Sequence, residues 1–300
     1  MPSIKHFILS AMLCASLTAA QAQQTHGFPY PAVPDTLRTP DTRAVWLVRH
    51  YWDCFNFADT AFLARPEEAE QGFVNFIDLL PRVRQTVAAD GLRQFADNIY
   101  KGGAASVREY FATLADSYLG DETSAMHDDV LYAQFLDVMG ANKFASIAER
   151  TRNEYMARNL RKNLPGSKAA DFDYTDRQGR RHSLHDFKAR YTLLYFYDPD
   201  CNHCRQTLER LRGIPQLTLG TYVRVLAIYP YGYDDRWAAA DTHFPAEWTD
   251  GYSTGGDIHT HDIYYIKSMP SIYLLDNEKT VILKNPDLSV LGKALNEISE

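Results

Sequence analysis

Cys201 and Cys204 are the residues of this sequence whose type and spacing could do chemistry. They form Cys201-Asn202-His203-Cys204, where the aromatic and β-branched run Tyr191–Tyr197 gives way to a segment carrying Leu208 and Leu211 at helical spacing. A cysteine at a helix N-terminus faces unpaired backbone N–H groups and the positive end of the helix dipole, which favour negative charge on sulfur. The thiolate is the nucleophilic form. The second cysteine, one helical turn on, can attack a mixed disulfide formed on the first and release the partner as a thiol. His203, when protonated, adds positive charge beside the pair. The same two cysteines could also form a structural disulfide or half of a zinc site. Zinc needs two further ligands, and the sequence has no second Cys-x-x-Cys and no His-x-x-x-His; His259 and His261 stand in a polar stretch. Neither a metal nor a cofactor is expected.

The elements that must position this pair begin well before it. Val107, Tyr110, Phe111, Leu114 and Tyr118 line one helical face, with Ser106 and Glu109 at capping-box spacing and Gly120 as a stop. Similar stripes run through Val45–Phe55, Phe73–Leu80, Val130–Met139 and Ile147–Leu160. Pro66, Pro81, Gly91, Gly102-Gly103 and Gly140 read as the breaks between them. Residues 41–163 therefore read as an all-α domain of roughly five to seven helices, preceded by a Pro-rich leader over 23–40.

After Asn163-Leu-Pro-Gly166 the period changes. Phe172–Leu184 suggests a hairpin, Tyr191–Tyr197 and Val223–Tyr229 read as buried strands, and Ser271–Leu275 with Thr280–Leu283 as a further strand pair. Helices are expected over Cys201–Leu211, Asp234–Ala240 and Leu288–Ile298. The order describes an α/β domain over 164–300, a central mixed sheet flanked by helices.

Leu193–Cys204 (LLYFYDPDCNHC), with Met269-Pro270 and Ile272–Asp276 (IYLLD) downstream, resembles the thioredoxin superfamily. It is most similar to the periplasmic thiol–disulfide oxidoreductases of the TlpA-like branch, some of which carry an extra helical domain in front. The N-terminal half resembles only a helical domain of unknown function found with such proteins. The resemblance implies a thioredoxin-like fold and disulfide exchange with exported proteins, with Cys201 attacking, Cys204 resolving, and a redox-active Cys201–Cys204 disulfide between turnovers. Pro270, behind Met269, takes the place of the cis-proline that faces the disulfide and pairs main chain with the substrate. The stretch around Gly232–Asp262 corresponds to the central insertion of that branch. A membrane redox protein is implied as the second partner.

Two departures bear on mechanism, and a peroxidase reading is discounted. Tyr195 stands where minimal thioredoxins have a buried acid, which leaves Asp198 or Asp200 to accept the proton of the resolving thiol through water. Asn202-His203 replaces Gly-Pro; a His before the second cysteine resembles strong periplasmic oxidants, and the direction of electron flow stays open. Peroxidases of this fold resemble Pro-x-x-x-Thr-x-x-Cys, but here Leu194 and Asp198 occupy the Pro and Thr positions.

Composition agrees with an ordinary globular protein. The 300 residues are 45% hydrophobic and 23% charged, with a net charge of −7 and no long Lys/Arg block, which excludes a nucleic-acid stripe. Lys5, the apolar run Phe7–Leu17 and Ala20-Gln21-Ala22 read as a cleaved signal over 1–22. Its removal leaves no transmembrane segment and places the chain in the periplasm of a Gram-negative bacterium, where disulfides form. Cys54, the remaining cysteine, is expected as a small buried hydrophobe in the Val45–Phe55 stripe. Glu67, Glu68 and Glu70 read as a solvated first turn, and Trp237 and Trp248 as either groove or core. The alternative to an enzyme is a non-catalytic envelope binding module that keeps the thioredoxin scaffold.

Overall fold

The computed structural model describes residues 27–299; the signal expected over 1–22 lies outside them. The helical domain contains α1 (Pro40–His50), α2 (Glu67–Leu79), α3 (Gln85–Gly102), α4 (Ala105–Ala115), α5 (Asp129–Ala141) and α6 (Ile147–Leu160). Apolar side chains at helical spacing, such as Phe73, Phe76 and Ile77 on α2 and Leu92, Phe95 and Ile99 on α3, meet in one buried cluster. Phe28 of the leader joins it and sits so close to Gly72 that a Cβ there would lie 2.1 Å from the ring.

Several local expectations are corrected. Gly91 does not break a helix but lies inside α3, where a Cβ would come within 2.6 Å of Val48 Cγ1; its missing side chain lets α3 approach α1. Ser106 and Glu109 form no capping box, since α4 starts after Ala104 without a side-chain cap. The box forms instead at Ser146 and Glu149, ahead of α6. The stop expected at Gly120 does hold: a π-helical turn over Asp116–Gly120 follows α4 directly and ends there. Cys54 is exposed rather than buried, because α1 ends at His50 and the chain turns, leaving Trp52 in the core.

The C-terminal part runs β1 (Asp173–Asp176), β2 (Arg181–Ser183), β3 (Tyr191–Phe196), α7 (Asn202–Arg212), α8 (Pro215–Thr218), β4 (Val223–Tyr229) and α9 (Asp235–Ala239). It continues with β5 (Thr249–Ser253), α10 (Asp257–Thr260), β6 (Ser271–Leu275), β7 (Val281–Lys284) and α11 (Leu288–Glu297). The seven strands form one mixed sheet in the order β2-β1-β5-β4-β3-β6-β7. β3 is parallel to β4 and antiparallel to β6. Leu193, Tyr195 and Tyr197 face the core under α7 and α11, and Leu194 and Phe196 face the opposite core, so β3 is buried on both sides. β5 was not anticipated. Its inward residues are Gly251 and Ser253 rather than large apolar ones, because a Cβ at Gly251 would lie 2.7 Å from the Thr175 carbonyl of β1.

The two parts are joined by buried polar contacts as well as by the chain. Lys284 Nζ lies 2.7 Å from Asp129 Oδ2, their side chains 6% and 11% exposed, and also donates to the Leu160 and Lys162 carbonyls. Removing one partner of such a pair leaves a buried charge unmatched, which costs about 3–5 kcal/mol. Asp129→Ala should therefore lower stability by that amount in urea unfolding, and Asp129→Leu combined with Lys284→Met should recover most of it. A loss below about 1 kcal/mol in Asp129→Ala would show that solvent already screens the pair.

Candidate active site

β3 delivers the chain to the carboxyl edge of the sheet, and Asp198-Pro199-Asp200 turns it into α7. The turn is closed by Cys201 N donating to the Asp198 carbonyl at 3.1 Å and by Asp200 N donating to Asp198 Oδ1 at 2.8 Å. Cys201 is the N-cap of α7, and its Sγ accepts the Cys204 N–H at 3.1 Å. A sulfur thus does what a Ser or Asp oxygen does at most helix starts, in the position where the helix favours negative charge.

The two thiols differ sharply in environment. Cys201 is half-buried, whereas Cys204 is 3% exposed and packs in the core among Leu208 and Leu211. Burial pushes the Cys204 thiol well above the ordinary cysteine range, and its contact with Cys201 adds to the effect. On the other side, the Cys201 thiol lies 3.5 Å from the Met269 carbonyl, to which it donates, and the Met269–Pro270 peptide is cis. Cys201, Cys204, Met269 and Pro270 are thus brought together. Asn202 and His203 are exposed on the first turn of α7, and Asn202 Oδ1 accepts from Arg205.

Tyr195 has a visible task at the position where an acid was missing. Its hydroxyl donates to the Cys204 carbonyl at 2.8 Å, tying β3 to the first turn of α7; burial holds its phenol far above the usual range. A cavity of about 470 Å³ opens beside Cys204, lined by Tyr195, Tyr197, Asp198, Leu208, Arg236 and Phe244 among others. Asp198 and Asp200 both line this cavity, Asp198 with its side chain 19% exposed and Asp200 at 70%. Arg236 lies 4.0 Å from Asp198 and 3.6 Å from Asp200. Trp248 is core, its Nε1 donating to the Leu217 carbonyl, and Trp237 is buried under the Arg177 guanidinium.

Sequence reasoning did not single out Arg236, nor Glu122 and Asn285. Asn285, at φ 44°, follows β7 and accepts Ser271 Oγ and Ile272 N on its Oδ1, while its Nδ2 donates to Glu122 Oε1 at 2.6 Å. Asn285-Pro286 is a turn signal that could have marked the first of these. Glu122 sits in a polar stretch with no pattern of its own.

Residues 13–163 match the family described as "Domain of unknown function (DUF5106)", and residues 165–242 match the AhpC/TSA family. The crystal structure of a thioredoxin-like protein from Bacteroides caccae is 35% identical, covering 90% of this chain and 98% of its own, with a TM-score of 0.78. A conserved protein of unknown function from Bacteroides fragilis is 40% identical over 44% of this chain and 98% of its own, with a TM-score of 0.42. The thioredoxin domain of a thiol-disulfide oxidoreductase from Bacteroides vulgatus is 22% identical over 46% of this chain and 99% of its own, with a TM-score of 0.41. None of the curated proteins matches the sequence.

The contrast in burial makes a direct chemical prediction. Iodoacetamide at neutral pH should label Cys54 and Cys201 in the folded chain and leave Cys204 unlabelled until the protein is unfolded, as read by peptide mass spectrometry. Labelling of Cys204 at or before Cys201 would reverse the roles assigned to the pair.

Proposed function

The chain belongs to the thioredoxin-like proteins in which a DUF5106 domain precedes an AhpC/TSA-family domain, and on that footing we propose that it is a thiol–disulfide oxidoreductase acting on exported proteins. The observation that carries this reading is the asymmetry of one pair: an accessible sulfur capping α7, and a buried thiol one turn behind it. A structural disulfide needs no accessible member, and a scaffold kept only for binding needs neither cysteine.

In the reducing direction the Cys201 thiolate attacks one sulfur of a partner disulfide. The S–S bond breaks, and the partner's other sulfur leaves with the electron pair and takes up a proton. Cys204 then loses its proton and attacks Cys201 Sγ in the mixed disulfide. The Cys201–Cys204 disulfide forms, and the partner leaves with its second thiol. The partner gains two electrons and the chain loses two, which a dithiol protein, supplied by the membrane, must restore. The reverse sequence oxidises the partner, and the relative reduction potentials decide which way it runs. Of Asp198 and Asp200, which both line the adjoining cavity, we assign the less exposed Asp198 to take the Cys204 proton through water. Met269 and Pro270 border the position where the partner's main chain would lie. His203 tunes the pair through charge when protonated.

Export rests on the sequence over 1–22, and the periplasm is the compartment proposed. No helix among the described residues is long and apolar enough to cross a membrane. A peroxidase reading has the AhpC/TSA match behind it but not the residues: Leu194 is buried in β3, and Asp198 offers a carboxylate where those enzymes have a Thr hydroxyl.

Cys201→Ser should abolish turnover of a peptide disulfide driven by dithiothreitol. Without dithiothreitol, Cys204→Ser reduced beforehand should instead accumulate a mixed disulfide through Cys201, visible as a mass increase equal to the peptide. Retained turnover in Cys201→Ser overturns the proposal. His203→Ala should make the pair a weaker oxidant, by about 10–30 mV near pH 6 in a glutathione buffer, and an unmoved potential removes His203 from the site.

A further inference from the structure

The segment that carries Met269 towards Cys201 is gripped along its length by the helical domain. At its start, Tyr155 Oη donates to Asp262 Oδ2 at 2.6 Å, Lys162 Nζ donates to the Asp262 carbonyl, and Asn163 Nδ2 donates to the Ile263 carbonyl at 3.0 Å. Just before Met269, Lys267 Nζ donates to the Gly120 carbonyl at 2.6 Å, and Ser268 Oγ donates to Glu122 Oε2 at 2.7 Å. Just after Pro270, Ser271 Oγ and Ile272 N are held by Asn285 Oδ1, and Asn285 in turn donates to Glu122 Oε1. One half-buried carboxylate therefore touches both sides of the dipeptide, directly through Ser268 and by way of Asn285 through Ser271 and Ile272.

The helical domain is shaped locally for this contact. The π-helical turn Asp116–Gly120 ends α4 and presents the Gly120 carbonyl to Lys267. A side chain at Gly120 would strike the Tyr132 ring, since a Cβ there would lie 2.6 Å from it. π-turns inside or beside α-helices cost hydrogen-bond geometry and recur where a chain must place groups for function.

We infer that Glu122 is a positioning residue of the exchange site: by fixing Ser268 and Asn285 it holds the 267–272 loop, and with it the Met269 carbonyl, in register with Cys201 and an incoming peptide disulfide. The helical domain is then part of the recognition apparatus rather than an independent neighbour, and the segment over 166–300 lacks one wall of its own substrate loop. This inference rests on the oxidoreductase reading, since it names what orders the same site.

The test uses the full chain with a fluorescent peptide–glutathione mixed disulfide as substrate and dithiothreitol as reductant. Glu122→Ala should raise KM about tenfold while kcat changes less than about twofold, because the loop binds the substrate chain and performs no bond-making step. Glu122→Gln should restore KM: its Oε1 accepts from Asn285, and its Nε2 donates to Ser268 Oγ, which can accept. Tyr155→Phe breaks a domain contact at Asp262, further from Met269, and should leave KM within about twofold. A KM unchanged in Glu122→Ala, a Gln variant as poor as the Ala variant, or a Tyr155→Phe variant as impaired as Glu122→Ala would each overturn the assignment. Hydrogen exchange separates this from failure of the underlying reading. The Ile272 amide should exchange about tenfold faster in Glu122→Ala than in wild type or Glu122→Gln, on the scale of local openings. A wild-type chain inert towards the probe overturns the oxidoreductase reading and the KM claim with it. Unchanged Ile272 exchange overturns the clamp whatever the activity.

Discussion

The bond from the Cys204 amide to the Cys201 sulfur is the interaction around which the site is arranged. A helix start requires an acceptor for its free amides, and here that acceptor is the reactive atom itself. The cap fixes the distance between the two cysteines and turns one towards the surface and the other into the core. It also sets where β3 must end, because Asp198–Asp200 can reach α7 only if the strand releases the chain at Tyr197. Burial of β3 on both faces makes that release point firm: a slip by one residue would exchange Tyr195 and Phe196 between two differently shaped cores.

Substituting Tyr195 for a buried acid changes how the site handles protons without leaving a gap in it. The phenol is spent on a backbone carbonyl, so in the proposed exchange the acceptor for the Cys204 proton moves from the strand to the loop, at Asp198, with Arg236 alongside. A carboxylate on the loop borders a cavity rather than lying sealed beneath the helix, so the proposed exchange gives its proton to solvent through that cavity. Local electrostatics around the pair then come from exposed and half-exposed groups, which salt screens more readily than a buried acid.

The parts legible in the sequence are those whose pattern is local. Tyr191–Tyr197 is a continuous apolar run because both its faces are buried, and α7 announces itself through the Leu208 and Leu211 spacing. Ile147–Leu160 reads as a helical stripe and coincides with α6, although sequence reasoning did not single out the Ser146–Glu149 cap that starts it. What was missed depends on partners distant in the chain. Gly91 reads as a breaker until α1 is brought against it, and Gly251 conceals β5 because its small size answers a carbonyl on β1. Ser106 and Glu109 have the spacing of a cap, but Ala104 already supplies the extended residue before α4. Cys54 follows the apolar stripe in sequence, yet the turn after His50 rotates it out. Of the site, the cysteine pair is legible from type and spacing and Met269-Pro270 only through the family resemblance, whereas Glu122 acquires its partners only when residues 146 and 163 positions away return to it.

The Glu122–Asn285 bond also constrains descent. Two domains joined by a linker alone can be recombined, since each carries its own fold and neither consults the other. Here a side chain of the first domain completes a hydrogen-bond set of the second, and the Lys284–Asp129 pair buries a charge from each beside it. A second domain transplanted behind a different helical partner would arrive with Asn285 and Lys284 facing groups not selected to meet them. Glu122 with Asn285, and Asp129 with Lys284, should accordingly be inherited as matched pairs, and the two halves as a single evolutionary unit.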